Sequence, residues 1–286
     1  MTMSTTLITS RDPKGLQATS IFEAAYNQAN LDDPRAQRLN ENGGELKAGI
    51  LKLIADLSVS DKYKGEEVES SYGYLSGYKP KGIPEQVAIL KTHFPNLDYS
   101  RLAVAQVFVG AEGAFAIPNW RKLAETYNEA VQIVLAKLSD TRKGKFYNYR
   151  TSEMGPANLR ESDRKAAFMQ KYFELQDNPD VAVMAAQFGL THRGRSVRRV
   201  REVMRANESG LGAFEVGVML LTHSERLQHY DDLWVDCAGD EFKPGDGRGF
   251  PCAPLFDFSV GKLEFDAAEV GRAHDYYGTA SGFLPQ

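Results

Sequence analysis

The chain has little cysteine, little tryptophan and no long apolar run. Its two cysteines, Cys237 and Cys252, are too few for a disulfide framework. Neither belongs to the close cysteine pairs that hold structural zinc. No stretch near Met1 has the apolar length of a signal peptide. The longest apolar-rich segment, 211–221, is interrupted by Gly212, Glu215 and Gly217, too short and too polar to span a bilayer. A cytoplasmic protein without membrane contact is the expectation. The histidines form no two-histidine, one-glutamate helix motif, and His223 and His229 do not share a helical face. Spacing therefore indicates no metal site. Gly245, Gly247 and Gly249 are not followed by Lys-Ser or Lys-Thr, which argues against a phosphate-binding loop, and Asp246-Gly247 suits a turn. Nothing identifies a cofactor.

What remains is ordinary globular material: 286 residues, 42% apolar and 25% charged. That supports a sizeable core in one large or two smaller domains. The net charge of −4 argues against wholesale coating of nucleic acid, so any such contact must be local.

One local cluster answers to that. Six arginines lie between Arg193 and Arg205 against a single acid, Glu202. Placed on a helix from Val197 to Ala206, capped by Ser196, the valines fall on one stripe. Arg198, Arg201 and Arg205 then form an adjacent ridge at i, i+3, i+7. Guanidinium is planar, always charged and forks onto two oxygens. Arg193, Arg195, Arg198, Arg201 and Arg205 are thus the candidate anion-binding set, with nucleic acid or another phosphate-bearing ligand as partner. The competing reading pairs them with acids such as Asp231, Asp232, Asp240 or Glu241. Arg142, Lys143 and Lys145 lead into Phe146, Tyr147, Tyr149 and Arg150. Cations with rings suit single-stranded nucleic acid, so Lys143, Lys145, Tyr147 and Tyr149 are accessory candidates. On a strand, Tyr147 and Tyr149 share a face; the plainer reading is a helix C-terminus running into an aromatic strand.

Asp231, Asp232, Asp236, Asp240 and Glu241 crowd one region. Clustered carboxylates can bind a divalent cation or supply a general acid and base. Asp236, Asp240, Glu241 and His223 are the candidate catalytic residues, and solvated surface is the alternative. Cys237 is a small core residue more readily than a nucleophile.

Periodicity predicts a mobile tail over 1–15 and helices over 16–30 and 45–57, joined by a connection at 31–44. A Tyr- and Gly-rich ordered loop follows at 58–82, where a domain boundary is possible, and the main domain is expected over 83–286. Within that domain it predicts helices from Pro84 to His93, from Asn119 to Leu138 and from Leu159 to Gln176. Strands are expected at 102–109, 114–117, near Tyr147 and at 180–188, and again after Gly210, where Phe214, Val216, Val218 and Leu220 alternate. A hairpin is expected about Ser259-Val260-Gly261. The fold class is α+β, with a helix-rich N-terminal half and a strand-containing C-terminal part. Three functions stay open: binding of nucleic acid or a phosphorylated ligand through the arginines; a metal-assisted or acid–base hydrolase acting on a phosphorylated substrate; and a structural protein whose arginines pair with a partner.

Overall fold

The structure is a computed structural model that describes residues 8–104, 107, 110–245 and 247–285. It falls into two compact units, one ending at Ser60 and the other beginning at Asp61. The fold is α+β, its helices weighted toward the N-terminus and its strands toward the C-terminus.

The first unit holds three helices: α1 (Pro13–Gln28), α2 (Asp33–Glu41) and α3 (Gly43–Ser58). Helix α1 starts within the expected tail; residues 1–7 of that tail lie outside the described residues. The expected connection at 31–44 is mostly α2. Asp32 caps it by accepting a hydrogen bond from the Arg35 N–H at 3.0 Å, and a proline in the first turn fits the entry. None of the three helices has a buried residue. The apolar stripe of α3 is real, yet Leu46, Leu53, Ile54 and Leu57 are exposed.

The second unit carries, in order, α4 (Ile83–His93), β1 (Gly113–Pro118), α5 (Tyr127–Arg142), β2 (Phe146–Asn148), β3 (Leu159–Glu161), α6 (Asp163–Glu174), β4 (Val181–Gln187) and α7 (Val197–Val203). It continues with β5 (Glu208–Gly210), α8 (Ala213–Thr222), β6 (Trp234–Asp236), β7 (Asp240–Phe242), β8 (Cys252–Ser259), β9 (Lys262–Glu269), β10 (Tyr277–Thr279) and β11 (Ser281–Phe283). One antiparallel sheet runs β1-β4-β11-β5. The larger sheet centres on β8, whose one edge pairs with β6 and β7 and whose other edge pairs with β9. Beyond these lie β10, β3 and β2. The turn at Val260 (φ 49°) and Gly261 (φ 73°) is left-handed at both residues, the geometry of a two-residue hairpin connection.

Helix α8 is the centre of the unit, and every residue in it is buried. That explains why its sequence reads as a strand. A helix buried on all sides has no polar face, so apolar alternation over a few residues is accidental. The Gly212 N–H donates to the Glu215 carboxylate at 3.0 Å and starts it as a helix. Helix α8 packs on α5, on β1 and on α4. At the α5 contact, a Cβ on Gly217 would meet Val134 Cγ1 at 2.5 Å. Gly217→Ala is expected to lower stability by about 1–3 kcal/mol through overpacking, seen as a lower urea midpoint; an unchanged midpoint would show that α5 can move aside.

Two further boundaries differ from the periodic reading. The helix expected from Asn119 is a 3-10 turn, Trp120–Lys122, followed by a break. Helix α5 starts anew at Thr126, where Thr126 and Glu129 form a reciprocal capping box. The helix expected from Leu159 begins with β3 and turns helical only after Ser162, whose hydroxyl accepts from the Lys165 N–H. Residues 102–104 are not a strand, and Ala105, Gln106, Phe108 and Val109 of that expected strand lie outside the described residues.

Candidate functional site

The arginines meet partners within their own unit. Glu66 takes Arg198, with Nε 2.8 and 2.7 Å from its two oxygens. Glu67 takes Arg199 and Arg195. Arg193 donates to the Tyr72 carbonyl at 2.8 Å. Arg201 donates to the carbonyls of Ala238 at 2.9 Å and Asp240 at 2.7 Å. Helix α7 stops at Val203 and Met204 is extended (ψ 136°), so Arg205 lies beyond the helix. The expectation of three guanidiniums on one outward ridge is corrected accordingly. The counterions come from the Glu66-Glu67 pair, which sequence distance hid. These contacts pin segment 62–72 to the helix and the helix to the 238–240 turn.

The acid cluster of the sequence is dispersed. Asp232 accepts from the N–H groups of Leu75, Gln228 and His229 at 2.8–2.9 Å, tying two loops together. Glu241 pairs with Arg160 at 2.7 Å. Asp240 is fully buried beside Lys165 and accepts from Tyr127 Oη at 2.6 Å. His223 is buried elsewhere. Its Nε2 accepts from the Lys81 N–H at 2.9 Å, and its Nδ1 meets Thr222 and the Met219 carbonyl. Burial lowers its pKa to about 4, so it is a neutral core residue and does not join Asp236, Asp240 and Glu241. Cys237 is fully buried and its thiol pKa is raised by burial, which makes it inert as a nucleophile.

Asp236 alone of these acids reaches a place suited to chemistry. It lies on the face of the larger sheet opposite the Val235, Phe256 and Phe265 core face. Strand pairing sets Tyr277 beside Trp234, Asp257 beside Glu264, and Glu264 beside Tyr147. Continuing the register of Val235 with Phe256 by one residue sets Trp234 next to Asp257. The result is a row across five strands: Tyr277, Trp234, Asp257, Glu264, Tyr147. The next row holds Thr279, Asp236, Leu255 and Asp266. The rings of Tyr147 and Tyr149 lie edge to face, centroids 4.6 Å apart, and both are about half exposed. At the other end Trp234 contacts Tyr276, Tyr277 and the exposed Tyr230.

The charges along this face are unequal. Asp266 is paired with Arg150 at 2.6 Å, and Asp236 feels Arg201. Among the described residues Asp257 and Glu264 have no cation in ion-pair contact, although Lys262 acts on Glu264 from further away. They are 6% and 7% exposed and stand opposite each other across the β8–β9 pair, each shifting the other's pKa, and Tyr149 also acts on Glu264. Burial pushes Asp257 up to about 7, with Glu264 and Asp266 adding to the shift. Burial likewise raises Glu264 and lifts Asp236 to about 7. Two neighbouring carboxyls do not both ionise cheaply, so the pair favours the state with one proton. The Oδ1 atom of Asp257 is buried without a hydrogen-bond partner among the described residues. A carboxyl that titrates near neutrality beside a carboxylate can give one proton and take another.

Lys143 and Lys145 are exposed at the turn before β2, but the Tyr149 hydroxyl feels Glu264 most strongly, and that carboxylate raises its pKa. The tyrosine platform therefore adjoins carboxylates, with Lys262 Nζ 5.9 Å from the Tyr147 ring centre as the cation beside it, a mixed surrounding that favours phosphate less than a basic one would. Asp257, Glu264, Trp234 and Tyr277 were missed in the sequence. The signal for the first two was present: a two-residue turn at 260–261 pairs 257 with 264 by counting outward. No family model matches the chain, no curated protein matches it, and no solved structure matches it.

Proposed function

We propose that this sheet face binds a neutral, polyhydroxylated substrate, a saccharide chain, and hydrolyses it by acid–base chemistry at Asp257 and Glu264. The observation that carries this reading is the in-register row, with a carboxyl pair flanked on both sides by aromatic rings. Flat rings offer apolar surface to the C–H faces of sugar rings, and carboxylates accept hydroxyl protons. The phosphorylated substrate suggested by the arginines fits this face poorly, because its charge would meet Asp257, Glu264, Asp236 and Asp266. The arginines enter the reading only as supports, Arg201 holding the turn after Asp236.

In the step itself, protonated Asp257 gives its proton to the glycosidic oxygen as the carbon–oxygen bond breaks. Glu264 takes a proton from the water whose oxygen bonds to that carbon. Water is consumed, and after product leaves the proton gained by Glu264 passes to Asp257, which restores the starting state. The pair acts as acid and base in one turnover; because the attacking water and the leaving oxygen lie on opposite sides of the sugar carbon, the substrate must enter between Asp257 and Glu264 and part the two carboxyls to about 6.5–9.5 Å.

The test is release of reducing ends from a panel of oligosaccharides and polysaccharides, alongside Trp234 fluorescence as a binding signal. Asp257→Asn and Glu264→Gln are expected to slow release by about 10²–10⁴-fold while the fluorescence response persists. A wild-type protein whose fluorescence responds to no saccharide, or an Asp257→Asn variant with undiminished hydrolysis, would refute the reading.

A further inference from the structure

The three helices of the first unit are regular but have no core. No residue of α1, α2 or α3 is buried. A helix of 16 residues such as α3 is marginal in water by itself, and helices in proteins owe most of their stability to an apolar face packed on something else. Helix α3 is weaker still, because Gly49 stands in its interior, where glycine is a poor helix former. The other two helices leave its stripe exposed. Helix α2 is mostly polar, and α1 keeps Ile21, Phe22 and Tyr26 exposed in turn.

The pattern within α3 indicates what covers it. Leu46, Ile50, Leu53 and Leu57 recur at steps of four, three and four residues, the a/d seam of a coiled coil. With Ile50 and Leu57 at a, Leu46 and Leu53 fall at d. Isoleucine at a with leucine at d favours two parallel strands, in which each seam residue meets its own counterpart. The flanks are complementary as well. Lys47 lies on one side of the seam and Asp56 on the other, and in a parallel pair the first side of one helix runs along the second side of its mate. Gly49, on the Asp56 side, has nothing within 4 Å of where a Cβ would stand, so a second helix can come close there. A lipid surface would call for a polar face rich in lysine and arginine, whereas α3 sets Lys47 and Lys52 against Glu45 and Asp56.

We propose that the chain forms a homodimer through its first unit, with α3 of one copy against α3 of a second copy, parallel and in register. The apolar area fits a reversible pair. Leu46, Leu53 and Leu57 of α3 and Ile21, Phe22 and Tyr26 of α1 are 36–77% exposed. At roughly 100 Å² for a half-exposed large side chain, they offer about 600 Å² per copy. A pair then removes about 1,200 Å² from water, the lower end of specific interfaces. The second unit has a buried core of its own, so the demand for a partner lies in the first.

The test is sedimentation velocity of the full chain between about 1 and 100 µM, the range in which so small an interface assembles; monomer is expected to give way to dimer. Leu53→Ala, which strengthens the helix by propensity and removes a seam contact, is expected to weaken the dimer about tenfold or more. Leu53→Cys, treated with oxidised glutathione, is expected to form a disulfide between copies, because the two d positions face each other. Ala48→Cys, on the opposite face of α3, is expected to form none. Cys237 and Cys252 are buried, so the wild type gives the blank. The dimer is overturned if the wild type stays monomeric throughout, if Leu53→Ala associates undiminished, or if Ala48→Cys couples as readily as Leu53→Cys. Coupling in a mixture of Leu46→Cys and Leu57→Cys chains, with none in Leu53→Cys, would mark an antiparallel pair and overturn the register.

Discussion

Replacing Lys165 by methionine is expected to cost about 3–5 kcal/mol of stability, the range for stripping the counterion from buried charges. Lys165 is wholly buried. Its ammonium lies 3.0 Å from Glu161, 3.0 Å from Glu215 and 3.5 Å from Asp240, and 3.9 Å from the centre of the Tyr127 ring. Burial alone would lower its pKa, but Glu215, Asp240 and Glu161 outweigh that and hold it raised. Methionine fills the space and leaves three carboxyls with no cation. The measurement is the urea midpoint of Lys165→Met against wild type, then of the double variant Lys165→Met with Glu215→Gln. Removing one acid relieves the repulsion, so the double variant is expected to be more stable than the single one. A loss under about 1 kcal/mol, with no recovery in the double variant, would mean that the acids are already neutral and Lys165 is dispensable. The cluster joins α6, α8 and β7, and through Asp240 it anchors the turn that follows Asp236. A loosened cluster should therefore also disturb the carboxyl face.

These two polar centres show where a single sequence is legible. The apolar stripe of α4, the buried strand β4 and the β8–β9 hairpin were all readable, because each has a local signature: a 3.6-residue period, a short apolar run, or a turn with a glycine. Helix α7 and its Ser196 cap were readable for the same reason. Helix α8 was not, since total burial erases its period. Partners were not readable either. Glu66 and Glu67 lie about 130 positions from Arg198 and Arg199, and no local rule links them. The acids near residue 236 looked like one site because they are close in the chain, yet three of them face three different neighbours. Asp257 and Glu264 looked like ordinary polar positions in a hairpin. They become a site only when β2, β6 and β10 bring rings to either side.

Stability should fall as pH rises from about 4 to about 7, because of the carboxyl face and of Asp240 in the Lys165 cluster. Burial raises Asp236 and Asp257 to about 7 and Asp240 to about 6. The unfolded chain releases these protons near its ordinary carboxyl pKa, whereas the folded chain keeps them. Over that window the folded state binds more protons, so each unit of pH removes up to about 1.4 kcal/mol per retained proton. Above about 7 the loss is complete and the curve flattens. His223 works in the opposite sense. Its folded pKa is lowered to about 4, so the unfolded chain takes up a proton first as pH drops below about 6.5, and stability is lost toward pH 4. Asp257→Asn isolates the carboxyl contribution, because the amide keeps the shape of the side chain but cannot ionise. The variant is expected to be about 2–4 kcal/mol more stable than wild type near pH 8, with the advantage gone by about pH 4. Urea midpoints across that range test it, and parallel curves for the two proteins would show that Asp257 releases its proton as freely folded as unfolded. The same titration links stability to chemistry. The proton whose retention favours the fold below about pH 7 is the one the proposed hydrolysis spends, so saccharide cleavage should decline on the alkaline side of the pH at which the fold stops losing stability.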